Sequence, residues 1–204
     1  MTDAWVFPLG HLLGAFHPGR DEPLEYHRIR IGADVLTLSS DLALVWNLAH
    51  GVPGGVLPGQ AWTRAMLTEV VGARGGEDAV AGLLDTGALV EVGPGALDAT
   101  TFARGHRLHP LLVGLGVTPE RPDLYRIGTL DQPVATVDEL TFDMWQWAPT
   151  VGDLWELCEV QAATARVLGD EPDEGLRNLL WRLHVLLSNG CGYLDIAVSA
   201  ATSM

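Results

Sequence analysis

The chain has 204 residues, 48% of them hydrophobic, enough apolar surface to build a real core and to exclude wholesale disorder. Acidic residues outnumber basic ones 26 to 12, for a net charge of −14, and every basic residue is an arginine. This balance argues against non-specific affinity for nucleic acid or an anionic membrane, and leaves room only for a local basic patch.

Two cysteines, Cys158 and Cys191, make no disulfide framework and suit a reducing compartment. The opening MTDAWVFPLG carries an acid where a secretory signal needs positive charge. The most apolar stretch, around Leu176–Leu187, is interrupted by Arg177, Asn178, Arg182 and His184, well short of the ~20 apolar residues of a membrane span. The expectation is a soluble, cytoplasmic protein. Arginine used to the exclusion of lysine, with abundant Ala, Gly, Leu and Val, looks like GC-rich bacterial coding.

In chain order, Leu12–Phe16, His27–Ile31 and Asp34–Leu38 are short apolar or β-branched runs between Gly and Pro punctuation, and are expected as strands. A helix follows at once. Ser39, Ser40 or Asp41 is placed to cap it, and Leu42, Val45, Trp46 and Ala49 recur at helical spacing before Gly51. A Gly/Pro loop over 51–59 leads to helices near Ala61–Val71 and Glu77–Ala88, and Gly87 introduces a strand at Leu89–Val92. Gly93–Ala103 reads as a linker.

The order then repeats. Leu111–Gly114, Leu124–Gly128 and Val134–Val137 echo the early strands. Asp138 caps a helix carrying Leu140, Met144, Trp145 and Ala148, stopped by Pro149. Trp145 lies 99 residues after Trp46. A helix over Val151–Leu168 precedes the strongest one, with Leu176, Leu179, Leu180, Leu183, Leu186 and Leu187 on one face. Asp170, Glu171, Asp173 and Glu174 sit at its start, where acids favour the helix dipole. Gly190, 103 residues after Gly87, leads into a last strand at Tyr193–Ile196. The expected fold is therefore α+β, with domains at 1–97 and 98–204. Each is winged-helix-like, a small antiparallel sheet packed on three helices. Residues 1–97 hold five arginines against eleven acids and residues 98–204 seven against fifteen, so neither half is basic.

The first half resembles the PqqD-like peptide-recognition elements that bind leader peptides of ribosomally made, modified natural products. The resemblance rests on the strands Leu12–Phe16, His27–Ile31 and Asp34–Leu38. The helix Ser39–Gly51 ending in Trp46 and the closing Leu83–Val90 complete it. It covers about residues 10–92, with a weaker copy over about 108–197. It implies that an extended leader peptide adds to the exposed strand edge Asp34, Val35, Leu36, Thr37 and Leu38. The peptide would pack on a helix through Asp78, Val80 and Leu83. Backbone hydrogen bonds give affinity in such pairing and apolar pockets give specificity. An acidic domain suits a peptide bearing Arg or Lys.

Catalytic signals are absent from the sequence: no GxSxG elbow, no phosphate loop, no GxGxxG, no CxxC. His106 and His109 are three apart, but Gly105 and Pro110 bracket them, so a shared helical face is not expected. No metal, cofactor or catalytic residue is assigned. Trp5, Trp62, Trp147 and Trp155 are hard to bury together, and an exposed aromatic cluster would mark a protein interface or a homodimer. The function read from the sequence is non-catalytic. It is recognition of a precursor peptide, or service as accessory subunit to a peptide-modifying enzyme in natural-product biosynthesis. The alternative is a winged-helix DNA-binding transcriptional regulator, which needs basic residues along its recognition helix.

Overall fold

The computed structural model describes residues 4–20, 22–52, 61–72, 76–165 and 172–197. The fold is α+β. Its first half runs β1 (Trp5–Pro8), β2 (His11–Phe16), β3 (Tyr26–Ile31), β4 (Asp34–Leu38), α1 (Ser40–Leu48), α2 (Arg64–Val71), α3 (Gly76–Asp85) and β5 (Leu89–Val92). Helix α4 (Ala96–Gly105) joins it to the second half. That half runs β6 (His106–Pro110), β7 (Val113–Thr118), β8 (Arg121–Gly128), β9 (Pro133–Val137), α5 (Glu139–Trp147), α6 (Leu154–Ala165), α7 (Pro172–Ser188) and β10 (Gly192–Ile196).

The pairing repeats with the order. β2-β3-β4 and β7-β8-β9 are three-stranded antiparallel meanders, while β1 pairs with β5 and β6 with β10. Each half thus closes by bringing its last strand back to its first. Local chemistry explains the matching ends. Ser39 Oγ accepts the Leu42 N–H at the start of α1 (3.3 Å), and Asp138 Oδ1 accepts the Thr141 N–H at the start of α5 (2.8 Å). After α3 and α7 the chain turns at Gly87 (φ +71°) and Gly190 (φ +64°), whose N–H groups donate to Leu84 O and Leu187 O. A Cβ at either glycine would meet nothing within 4 Å, so only backbone strain opposes a side chain. Gly87→Ala and Gly190→Ala are each expected to lower unfolding free energy by about 1 kcal/mol, read by urea denaturation.

Three elements, β1, β6 and α4, differ from what the sequence pattern predicts. β1 and β6 precede the first strands expected in each half. β1 is only four residues long and ends in Pro8, and β6 (HRLHP) holds a single aliphatic residue, so neither carries an alternating pattern. The segment expected as a linker, Gly93–Ala103, instead forms most of α4, with Phe102 and Ala103 buried. The expected boundary between 97 and 98 falls inside this helix. Residues 53–59 of the Gly/Pro loop lie outside the described residues, as do Asp170 and Glu171.

β1 ties the halves together. Strand alternation sends Val6 into a core with Ile29, Leu38, Trp46, Leu67 and Leu83, while Phe7 enters a second core built on the leucines of α7. Both side chains are fully buried. Phe7 lies between Phe102 (centroids 4.6 Å) and His184 (4.3 Å), and the His184 Nε2–H donates to Val6 O (2.8 Å). Further along, Leu9 bridges Leu194 in parallel, and Gly10 N–H donates to Leu194 O (2.7 Å). A polar clamp completes the junction. Asp195, 4% exposed, accepts from Arg30 (3.0 Å) and from the Gly32 N–H (2.6 Å), and Arg30 also donates to the Tyr193 hydroxyl (2.9 Å).

Candidate functional site

β4 is an edge strand. Among the described residues it pairs only with β3, from Asp34 opposite Ile31 to Leu38 opposite His27. Its outer edge therefore presents peptide N–H and C=O groups without a strand partner. Asp34, Val35 and Thr37 are exposed, Val35 at 52%, Leu36 is half-buried against the first core, and Leu38 is buried. So the five edge residues divide: Val35 and Thr37 face outward, Asp34 is exposed at the strand's start, and Leu36 and Leu38 anchor the strand.

The chain leaves β4 through Ser39 and enters α1 beside an open cleft of about 790 Å³. α1 contributes Asp41, Leu42, Leu44 and Val45, α2 contributes Val70 and Val71, and α3 contributes Asp78 and Ala79. Leu44 and Val70 are exposed apolar side chains at 51% and 46%. Val80 and Leu83, expected on the peptide-facing side of α3, are core residues at 1% and 0% exposure. Helical spacing turns them inward, and what α3 shows to the cleft is Asp78 and Ala79. Asp41 and Asp78 are exposed and form no ion pair among the described residues.

The sequence reading missed Leu44, Val70 and Ala79 as lining residues. Each looks ordinary on its own helix. Only the convergence of three helix ends makes a groove of them.

Both cysteines are buried. Burial pushes the Cys158 thiol up and the Cys191 thiol up to about 12, so neither offers a thiolate at neutral pH. His106 and His109 lie on β6, not on a helix. Burial lowers the pKa of both, and for His109 the adjacent Arg107 adds to the effect. His109 Nε2 accepts from Arg107 Nε (2.7 Å), and its ring stacks on Tyr193 (4.8 Å). Burial holds His50 and His184 at about 4, so both are neutral rings. Among the described residues no group of three His, Cys, Asp or Glu is placed to hold a metal ion. No helix among them is long and apolar enough to cross a membrane.

Among the described residues the tryptophans form no exposed aromatic cluster. Trp62 is buried, Trp147 is 48% exposed, and Trp155 lies under the Arg104 guanidinium at 4.6 Å. None of Trp5, Trp62, Trp147 and Trp155 stacks on another among the described residues.

Comparison of the chain with protein-family models, with curated proteins and with solved structures finds no match.

Proposed function

We propose that this protein is a non-catalytic recognition or adaptor protein. It captures an extended precursor (leader) peptide by strand addition, alone or as accessory subunit to a peptide-modifying enzyme of natural-product biosynthesis. On this reading the halves are winged-helix-like units in tandem, the first of them a PqqD-like element. The observation that carries it is the edge of β4, without a strand partner among the described residues, on the strand that leads directly into α1, which with α2 and α3 lines an open cleft. An incoming strand satisfies the edge amides, and its alternate side chains reach apolar surface. Of the residues first assigned to binding, Asp34, Val35, Thr37 and Asp78 are accessible to a peptide. Leu36, Leu38, Val80 and Leu83 hold the surface in place.

Duplex DNA is the less supported partner. Arg64 is paired with Glu91, Arg182 with Asp138, Arg30 with Asp195 and Arg121 with Asp123. A guanidinium already neutralised gains little by meeting phosphate. No salt-sensitive shift of duplex DNA at low ionic strength is expected, and such a shift would favour the regulator.

The test uses synthetic extended peptides of alternating apolar and polar residues, titrated against the full chain by fluorescence anisotropy. N-methylation of alternate peptide amides in one register is expected to weaken binding at least about tenfold, because it removes the ladder hydrogen bonds. Val35→Gln is expected to weaken it about threefold while leaving the unfolding midpoint unchanged, since Val35 is exposed. Binding that tolerates N-methylation in both registers rules out strand addition. Leu38 is unsuited to this test, because its substitution disturbs the core.

A further inference from the structure

The repeated order allows one half to be laid over the other. Ser39 and Trp46 match Asp138 and Trp145 at an offset of 99, and Val80, Leu83 and Gly87 match Leu183, Leu186 and Gly190 at 103. The matched positions agree in role: cap with cap, core with core, left-handed glycine with left-handed glycine. By the same offsets Leu42 corresponds to Thr141 and Ala79 to Arg182.

At this place the halves diverge. In the second half Arg182 reaches from α7 across to the start of α5. Its guanidinium donates to both carboxylate oxygens of Asp138, at 2.6 Å to Oδ2, and to Thr141 Oγ1 at 2.6 Å. The Arg182 side chain is only 11% exposed. Gln161 of α6 adds a hydrogen bond to Leu140 O (2.8 Å), so all three helices are tied together there. In the first half α3 carries alanine at the matching position, Leu42 stands in place of the Thr141 hydroxyl and Ser39 in place of the Asp138 carboxylate, and the cleft stands open, with its acids at other positions, Asp41 and Asp78. Asp41 and Asp78 flank it with no cation of their own among the described residues.

The strand edges diverge in the same sense. β9 begins with Pro133, which has no N–H to offer, and its register with β8 breaks between Ile127 and Gly128. β4 pairs with β3 without interruption and contains no proline.

We infer that the cleft of the first half receives an arginine or lysine side chain of the bound peptide, seated between α1 and α3 where the second half seats its own Arg182. This rests on the peptide reading above and names the chemistry of the partner. The aliphatic stem of the incoming side chain lies on Leu42, Val71 and Ala79, and its charged head meets Asp41 and Asp78. The second half, with its cleft filled from within and its edge blunted, supports the first and binds no peptide. The inside of one half thus displays the kind of group that the other takes from outside.

The experiment selects binders from a synthetic library of extended peptides, then measures Kd for each selected sequence and for its counterpart with Gln in place of Arg or Lys. Selected peptides are expected to carry a basic residue at a fixed spacing from an apolar one, and to lose about fivefold in affinity in the Gln form. Asp41→Asn with Asp78→Asn is expected to reduce that difference to less than about twofold. Ala79→Arg is expected to close the cleft and weaken the basic peptide about tenfold without lowering the unfolding midpoint. Peptides that depend on the β4 edge yet bind equally well as Arg and Gln forms overturn this inference and leave the peptide reading standing. A library that yields no binder, or binders indifferent to backbone N-methylation, overturns both. Loss of basic-peptide binding in Arg182→Ala, with Ala79→Arg silent, moves the site to the second half and overturns the inference.

Discussion

Asp195→Ala is expected to lower unfolding free energy by about 3 kcal/mol. The carboxylate is buried and has three partners: Arg30 at 3.0 Å, the Gly32 N–H at 2.6 Å and its neighbour's N–H, Ile196, at 2.9 Å. Removing it leaves two amides and a guanidinium without their acceptor. The Arg30 side chain is 33% exposed and recovers part of its hydration, which keeps the cost at the lower end of the range for broken buried pairs. Because Arg30 lies on β3 and Asp195 on β10, the lost contact is one between halves. Urea unfolding followed by far-ultraviolet circular dichroism reads the cost. A loss below about 1 kcal/mol would mean that apolar packing alone holds the junction. Asp195→Asn, which retains an acceptor, is expected to cost less than alanine.

Acidification from pH 6.5 to pH 4 is expected to remove about 3 kcal/mol of stability through His184 alone. Burial lowers the His184 pKa from 6.5 in the unfolded chain to about 4 in the folded one. Between those values the unfolded chain binds a proton that the folded one refuses, so stability rises with pH across the window and is lost as pH falls. The geometry accounts for the refusal. The Nε2–H is spent on Val6 O, the ring lies against Phe7, and Nδ1 is buried without a hydrogen-bond partner. His50, also held at about 4, acts in the same direction. The check is the pH dependence of unfolding free energy for the protein and for His184→Gln. The variant is expected to be less stable at pH 7 but to show a flatter slope between pH 6.5 and 4, with the His50 contribution remaining. An unchanged slope would show that another group titrates.

Much of the fold was legible in the sequence because its signals are local. The strands β2, β3, β4, β5 and β10 follow from short β-branched or leucine runs bounded by Gly and Pro. The leucine stripe marks α7, Ser39 and Asp138 mark helix starts, and Gly87 and Gly190 mark the turns after α3 and α7. The repeated order was visible for the same reason, since each pairing compares neighbours in sequence with neighbours in sequence.

The parts that were missed depend on partners far away in the chain. β1 and β6 are strands because β5 and β10 return to meet them, about 80 residues later in each case. α4 has Gly, Pro and Asp at its entrance, which reads as linker, and its helical state is secured by Phe102 packing on Phe7 and by Ala103 in the core. Leu38, Val80 and Leu83 were placed on a binding surface by the resemblance to peptide-recognition elements, whereas their apolar character alone also suits a core. In the structure the core covers that face.

The sequence by itself determined an acidic, lysine-free α+β chain whose element order runs twice, together with the caps and turns that start and stop its helices. Those follow from side-chain periodicity and backbone preference over a few residues. The tertiary structure alone decided that β1 serves two cores at once, that Arg30 finds Asp195 across 165 positions, and that Arg182 joins α7 to the start of α5 while Ala79 lines an open cleft. These depend on which surfaces meet, and burial and charge pairing are settled only when distant segments exclude water between them.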